Sequence, residues 1–178
     1  MQGGYAIKKH ILFMLFIFLF ISPLNAQENK QGEETMKLIS PAFEHNQMIP
    51  KKFTCQGNDI SPELNIVGIS AEAKSLALIV DDPDAPMGTW VHWVVFNIPP
   101  LAAKIKENSI PGMQGYNDFG RNNYGGPCPP SGTHRYFFKL YALDTKLDLK
   151  EGIKKQELEK AMESHILAKT ELIGLYKK

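Results

Sequence analysis

Three carboxylates, two prolines and a glycine separate two apolar runs in the middle of the chain: Asp81-Asp82-Pro83-Asp84-Ala85-Pro86-Met87-Gly88-Thr89, followed by Trp90-Val91-His92-Trp93. Prolines fix φ and remove a donor, so Pro83 and Pro86 stiffen this loop. Aspartates beside prolines close turns with their own side chains, and turn-making alone accounts for Asp81, Asp82 and Asp84. A chemical role needs a second piece of chain to face them. Residues 115–136 are the candidate, with Gly125-Gly126-Pro127-Cys128-Pro129-Pro130 leading into His134-Arg135-Tyr136. So much Gly, Pro and Asn makes a long loop, and long loops in compact domains are usually functional or disordered. Tyr116, Phe119 and Tyr124 argue that this one is packed.

Side-chain alternation brings the two pieces together. On the strand expected from Trp90, one face carries Trp90, His92, Val94, Phe96 and Ile98. On the strand expected from His134, one face carries His134, Tyr136, Phe138, Leu140 and Ala142. Each row is apolar with a histidine near its start, and each comes after a Pro/Gly-rich loop. If those ends meet, His92, His134, Tyr136, the Asp81–Asp84 loop and the Gly125–Gly126 amides line one small cavity. Histidines, a tyrosine hydroxyl and glycine N–H groups suit a phosphate or carboxylate. An aspartate there would fix a histidine tautomer, or accept from a protonated oxygen or an amine substituent of the anion. The plainer alternative is two hydrogen-bonded buried histidines at strand ends.

Other chemistries fit less well. Zinc needs three or four ligands, and no Cys or His pair stands at metal-ligand spacing. Ser131 and His134 are three apart without a Gly-x-Ser-x-Gly elbow. No phosphate loop or dinucleotide fingerprint is present, so no cofactor is expected. His45 and His165 have no motif around them and read as surface or helix residues.

The rest of the chain must supply the elements that position these residues. Lys8 and Lys9 precede an unbroken apolar run, Ile11–Ile21, and then Leu24-Asn25-Ala26. This is the three-part pattern of a secretory signal peptide over residues 1–26, cut before Gln27. A membrane span needs about 18 or more apolar residues, so no permanent span is expected. The reading is therefore an exported protein, periplasmic or extracellular. Residues 27–35 are a polar, disordered lead-in, and residues 36–178 have the length of one domain with a substantial core. The whole chain carries a formal charge of +1, and no basic cluster interleaved with aromatics suggests nucleic acid.

From Met36 to about Asp144, short apolar runs alternate with Pro, Gly and Asn: Met36–Ile39, Leu64–Val67, Ser75–Val80, Trp90–Ile98 and Arg135–Leu143. That is the pattern of an all-β sandwich or barrel. Leu158, Met162, His165 and Ile166 then recur at helical spacing, predicting about three turns of amphipathic helix within Lys154–Leu167. The run Thr170–Tyr176 returns to β composition, with Leu172 and Ile173 expected inside. Cys55 and Cys128 both lie in Gly/Pro-rich loops, where a disulfide and a pair of buried thiols are both open readings.

Asp82-Pro83-Asp84-Ala85-Pro86 followed by Trp90-x-His92-Trp93 resembles the first signature of the phosphatidylethanolamine-binding proteins, also called Raf kinase inhibitor-like proteins. Gly115-x-Asn117-Asp118-Phe119-Gly120, Tyr124-Gly125-Gly126-Pro127-Cys128-Pro129-Pro130 and His134-Arg135-Tyr136 resemble the second signature in its bacterial form. Cys55-x-Gly57-Asn58-x-x-Ser61-Pro62-Glu63-Leu64, Ala142-Leu143-Asp144 and Ser164-His165-Ile166-Leu167-Ala168 fit the same branch. The resemblance covers about Met36 to Lys178. It implies a mostly β fold, an antiparallel β-sandwich with one late amphipathic helix and short helical turns. It also implies a pocket at one end for phosphate or a phosphoethanolamine head group. Matched residue by residue, the pocket positions are Asp82, Trp90, His92, Gly126, His134 and Tyr136. A second copy of the chain is a further partner that the resemblance implies. Asn65-Ile66-Val67-Gly68-Ile69 departs from the tryptophan-containing stretch of bacterial relatives, and the extra C-terminal helix of animal members is missing. Kinase regulation therefore does not carry over.

Three functions are open to such a chain. One is a binding module that holds an anion without transforming it. Another is a weak hydrolase, with His92 or His134 as general base and Asp82 orienting it. The third is a protein-interaction role, inhibiting a protease or a signalling protein. Fold alone does not choose among them.

Overall fold

The computed structural model describes residues 1–4 and 35–178. The expected signal peptide and lead-in therefore fall almost wholly outside the described residues. No helix among the described residues is long and apolar enough to cross a membrane.

The described residues form two sheets. A six-stranded sheet runs in the order β2 (Gln47–Met48), β9 (Ile166–Lys177), β8 (Thr133–Leu143), β4 (Ser75–Asp82), β5 (Trp90–Ile98), β7 (Met113–Gly115). A three-stranded sheet runs β1 (Lys37–Ile39), β3 (Leu64–Val67), β6 (Lys104–Ile105). Every pairing is antiparallel except β2 with β9. The expected β-sandwich is thus borne out, with one parallel edge. Its main core lies between the sheets, where Leu76, Leu78, Val80, Trp93, Phe138 and Leu140 meet Leu38, Leu64, Ile66 and Ile105.

The large sheet has a second covered face. Ala77, Ile79, Val94 and Phe96 pack there against Leu158 and Met162 of α1 (Lys155–Met162). All eight residues of β4 are consequently buried. This explains its unbroken apolar run, since strands covered on both faces do not alternate. The helix is shorter than predicted. The chain turns at Met162, whose carbonyl accepts from the His165 N–H at 2.8 Å, and β9 begins at Ile166. His165 instead pairs with Asp144 at 2.8 Å, and Ile166 is exposed. Leu172 is buried and Ile173 half-buried. Among the described residues a 3₁₀ turn, Lys51–Phe53, supplies the short helical element.

Alternation on β5 breaks twice. Val80 lies opposite Trp93 and Asp81 opposite Val91, so His92 is an extra residue. Leu76 lies opposite Ile98 and Leu78 opposite Val95, so Phe96 and Asn97 share one partner position. Asn97 has φ 54°, and its side chain exchanges two 2.9 Å hydrogen bonds with the Leu147 backbone. These are β-bulges, each adding one residue and reversing the facing of the residues beyond it. The row expected from strict alternation is therefore corrected. Val94 and Phe96 face α1, while His92 turns to the same side as Trp93, Val95 and Ile98.

Candidate functional site

The ends of three adjacent strands and two loops build a pocket of about 320 Å³ at one end of the sandwich core. β4 contributes Asp82, β5 contributes Trp90 and His92, and β8 contributes His134. The 83–89 loop gives Ala85, Pro86 and Met87, and the 116–132 loop gives Phe119, Cys128, Pro129 and Pro130. A wider cleft of about 650 Å³ between Gly68–Glu72 and Leu167–Lys169 contains no histidine and no buried polar side chain. The smaller pocket is the one equipped for chemistry.

Asp82 ends a strand rather than sitting in a loop, and its neighbour Asp81 points the opposite way. The Asp82 Oδ2 accepts from His134 Nδ1 at 2.8 Å, and Oδ1 accepts from the Asp84 N–H at 2.8 Å. The carboxylate is thus spent on orienting His134 and closing the turn, and Nε2 of His134 is the ring nitrogen left over. Asp84 grips Arg135 with two side-chain hydrogen bonds of 2.8 and 2.6 Å. The Arg135 fork holds the Asp84 carboxyl down at about 2. On the far face, buried Asp81 meets Lys155 of α1 at 2.5 Å. Lys139 sits 2.8 Å from its Oδ1 and 2.9 Å from its Oδ2, with hydrogen-bond geometry only to the latter. Asp81 belongs to the sheet–helix contact, not to the pocket.

His92 is 2% exposed. Its Nδ1 lies 2.7 Å from the Gly125 carbonyl. A carbonyl only accepts, so Nδ1 carries the hydrogen. The ring meets Phe119 and Tyr136 edge-on, with centroids 5.3 and 5.1 Å away. Burial pushes its pKa below the usual histidine value, opposed by the Gly125 carbonyl and by the charges of Asp82 and Asp81. Tyr136 is fully buried, and burial with the nearby Asp82 charge raises its pKa, so the phenol keeps its proton. Among the described residues Trp90 Nε1–H has no hydrogen-bond partner, and the Tyr136 hydroxyl, beside the Asp82 carboxylate, makes no well-aligned bond.

Gly126 stands apart from the other expected site residues. Its N–H donates to Asp59 Oδ1 at 2.6 Å, and the Gly125 N–H donates to the His92 carbonyl at 3.0 Å. Neither amide is free for a ligand. A Cβ on Gly126 would lie 2.5 Å from the Phe53 carbonyl oxygen, so glycine is needed for close approach of the loop to the 53–59 turn. Cys55 and Cys128 form a disulfide across the same contact.

Sequence reasoning named the loop aromatics but gave Phe119 no part in the pocket. It forms a wall against Trp90 (centroids 5.5 Å) and His92. Buried Asn117 organises its loop: Oδ1 accepts from the Phe119 and Arg121 N–H groups, and Nδ2 donates to the Asn123 carbonyl. An aromatic in a Gly/Pro-rich loop was the available signal for Phe119; Asn117 had only its place in the family motif.

Comparison with known proteins decides the family. The phosphatidylethanolamine-binding protein model matches residues 39–177. The chain belongs to that family. A UPF0098 protein of Methanothermobacter thermautotrophicus is 53% identical over 150 residues, covering 80% of this chain and 99% of the relative. A UPF0098 protein of Pyrococcus horikoshii is 53% identical over 159 residues, covering 83% and 80%. Among solved structures, a putative phosphatidylethanolamine-binding protein homologue of Chlamydia trachomatis superposes with a TM-score of 0.79 at 46% identity, covering 81% of this chain and 98% of the other. Escherichia coli YbcL gives 0.75 at 28% identity, covering 80% and 98%.

Proposed function

We propose that this family member is an exported binding protein that holds a small phosphoryl-type anion in the Asp82–His92–His134 pocket without transforming it. The observation that carries the reading is a buried donor without a partner in the pocket wall, Trp90 Nε1–H, with the poorly aligned Tyr136 hydroxyl close by. A buried donor left unsatisfied costs about 1–3 kcal/mol. An oxygen-rich ligand recovers that cost, and two oriented histidines beside them extend the same polar surface. The aromatic and proline walls suit an apolar substituent on the ligand. Export is supported by the leader pattern in residues 1–26 and by a paired disulfide, which oxidising compartments permit.

Calorimetric titration of the purified protein with phosphate and with phosphoethanolamine tests the reading, alongside His92→Ala and His134→Ala. Saturable binding is expected, weakened at least about tenfold in each variant, as for loss of a charge-assisted hydrogen bond. Absence of binding to either anion refutes it. Turnover of phosphoesters by the unmodified protein would move the function to hydrolysis.

A further inference from the structure

The pocket's histidines are not equivalent, and the difference bears on which ionised form of a ligand fits. The Gly125 carbonyl, 2.7 Å from His92 Nδ1, takes that nitrogen's hydrogen. Nε2 of a neutral His92 therefore offers a lone pair rather than a hydrogen. The groups facing this ring are Asp82 from β4, Tyr136 from β8 and, from the 116–132 loop, Phe119 and the Gly125 and Gly126 carbonyls, while Asp81 acts on it only through its charge from the other face of the sheet. The loop's charged Asp118 is turned away, its carboxylate accepting from the Val91 N–H at 2.7 Å. Burial outweighs the two carboxylates and keeps the ring of the empty pocket neutral at pH 7 and above.

The pocket also has no surplus of positive charge. Among the described residues no lysine or arginine lines it. Arg135 is committed to Asp84, and Lys139 and Lys155 to Asp81 on the opposite face. Asp82 contributes one negative charge, and His134 at most one positive charge. With His92 neutral, the lining is at best uncharged. A dianion entering it would be desolvated without a net positive charge to meet it, which is the costly arrangement.

We propose that the pocket selects the singly charged, acidic form of a phosphoryl group, whose own hydroxyl hydrogen is donated to His92 Nε2 while its other oxygens accept from Trp90, Tyr136 and His134. This rests on the anion-binding reading above and specifies the ligand's protonation state. The second pKa of a phosphate monoester is about 6, so both forms are available near neutrality. At alkaline pH one proton must come from solvent and lodge between the phosphoryl oxygen and Nε2. Below the ligand's second pKa none is needed.

The test compares methyl phosphate with methyl sulfate, which has the same shape and a single charge but no hydroxyl. Protein purified from the full-length chain is titrated calorimetrically at pH 5.5, 7 and 8, in buffers of different ionisation heat. Methyl phosphate is expected to bind with affinity falling about tenfold per pH unit above its second pKa, with uptake close to one proton at pH 8. Methyl sulfate is expected to bind at least tenfold more weakly than methyl phosphate at pH 5.5. In His92→Leu, whose side chain has no acceptor, the sulfate–phosphate discrimination disappears. If methyl sulfate binds as well as methyl phosphate, or if no proton is taken up, the proposal is overturned and the anion pocket stands. If His134 alone supplied the proton, both ligands would show the same pH slope, which also overturns it. If neither ligand binds, the underlying anion-binding reading fails.

Discussion

Removing the Cys55–Cys128 bridge separates two quantities that usually change together. The bonded cysteines are 73 residues apart. Chain-entropy arithmetic for a loop of that length gives about 4 kcal/mol of destabilisation, acting through the unfolded chain. The native contact does not depend on the bridge alone. The Cys55 N–H donates to the Pro127 carbonyl at 3.1 Å, Gly126 N–H to Asp59 at 2.6 Å, and the Tyr124 hydroxyl to the Phe53 carbonyl at 3.0 Å. Those three bonds keep Cys128 and the two prolines after it against the pocket. The Cys55→Ala/Cys128→Ala double variant should therefore lose about 3–4 kcal/mol in urea unfolding monitored by tryptophan fluorescence. Its anion affinity should stay within about threefold, because the loss acts through the unfolded chain. A stability loss below about 1 kcal/mol would refute the entropic argument. Loss of binding in a fully folded double variant would refute the claim that the three hydrogen bonds hold the wall. Two reactive thiols in the unreduced protein would remove the premise.

The geometry sets three further outcomes. Asp84 has its folded pKa depressed from 3.8 to about 2 by Arg135, so its contribution is present above the unfolded value and is lost as pH falls toward 2. The pair is partly solvated, so Asp84→Asn should cost under about 1 kcal/mol at pH 7, with the difference from wild type vanishing near pH 2 in acid-unfolding curves. Gly126→Ala puts a methyl 2.5 Å from a backbone oxygen and 2.8 Å from the Thr54 Cα. It should lower stability by about 1–3 kcal/mol in thermal unfolding. Asp81→Asn leaves Lys139 and Lys155 without their buried counter-charge, and should cost about 3 kcal/mol in denaturant unfolding while leaving anion affinity unchanged.

Much of the site was legible because β8 obeys simple alternation: Tyr136, Phe138, Leu140 and Ala142 do face the sandwich core, with His134 at the row's end. β5 was not legible in the same way. A bulge is a matter of pairing between strands, and nothing in Val91-His92-Trp93 announces that one residue will be left over. His92 stays on the pocket side with Trp90, as alternation suggested, and it is Val94 and Phe96 beyond the bulge that turn away to α1. The Asp81–Asp82 pair misled for a related reason. Carboxylates next to Pro83 read as loop, yet both are strand residues, one stabilised by lysines brought by α1 and β8 and the other by His134. The helix end was also hidden, because His165 and Ile166 keep helical spacing while the chain has already turned. Gly126 matched the motif and carries a packing role, which only the approach of the 53–59 turn reveals.

The extra residue at position 92 also acts as a mechanical joint. Everything after it, from Trp93 to Ile98, is held in register by pairing with β4 and by the two core clusters. Before it, Trp90 and Val91 still pair with Asp82 and Asp81, and the 83–89 rim lies beyond them. Apart from Asp84, which is tied to Asp82 and Arg135, residues between Pro83 and Thr89 can be exchanged, inserted or removed without a change of parity reaching Trp93, since the strands on either side of the loop are paired independently of its length. The rim is thus an interchangeable cassette mounted on a fixed frame. Recutting it to accept other substituents is a design problem separate from keeping the protein folded.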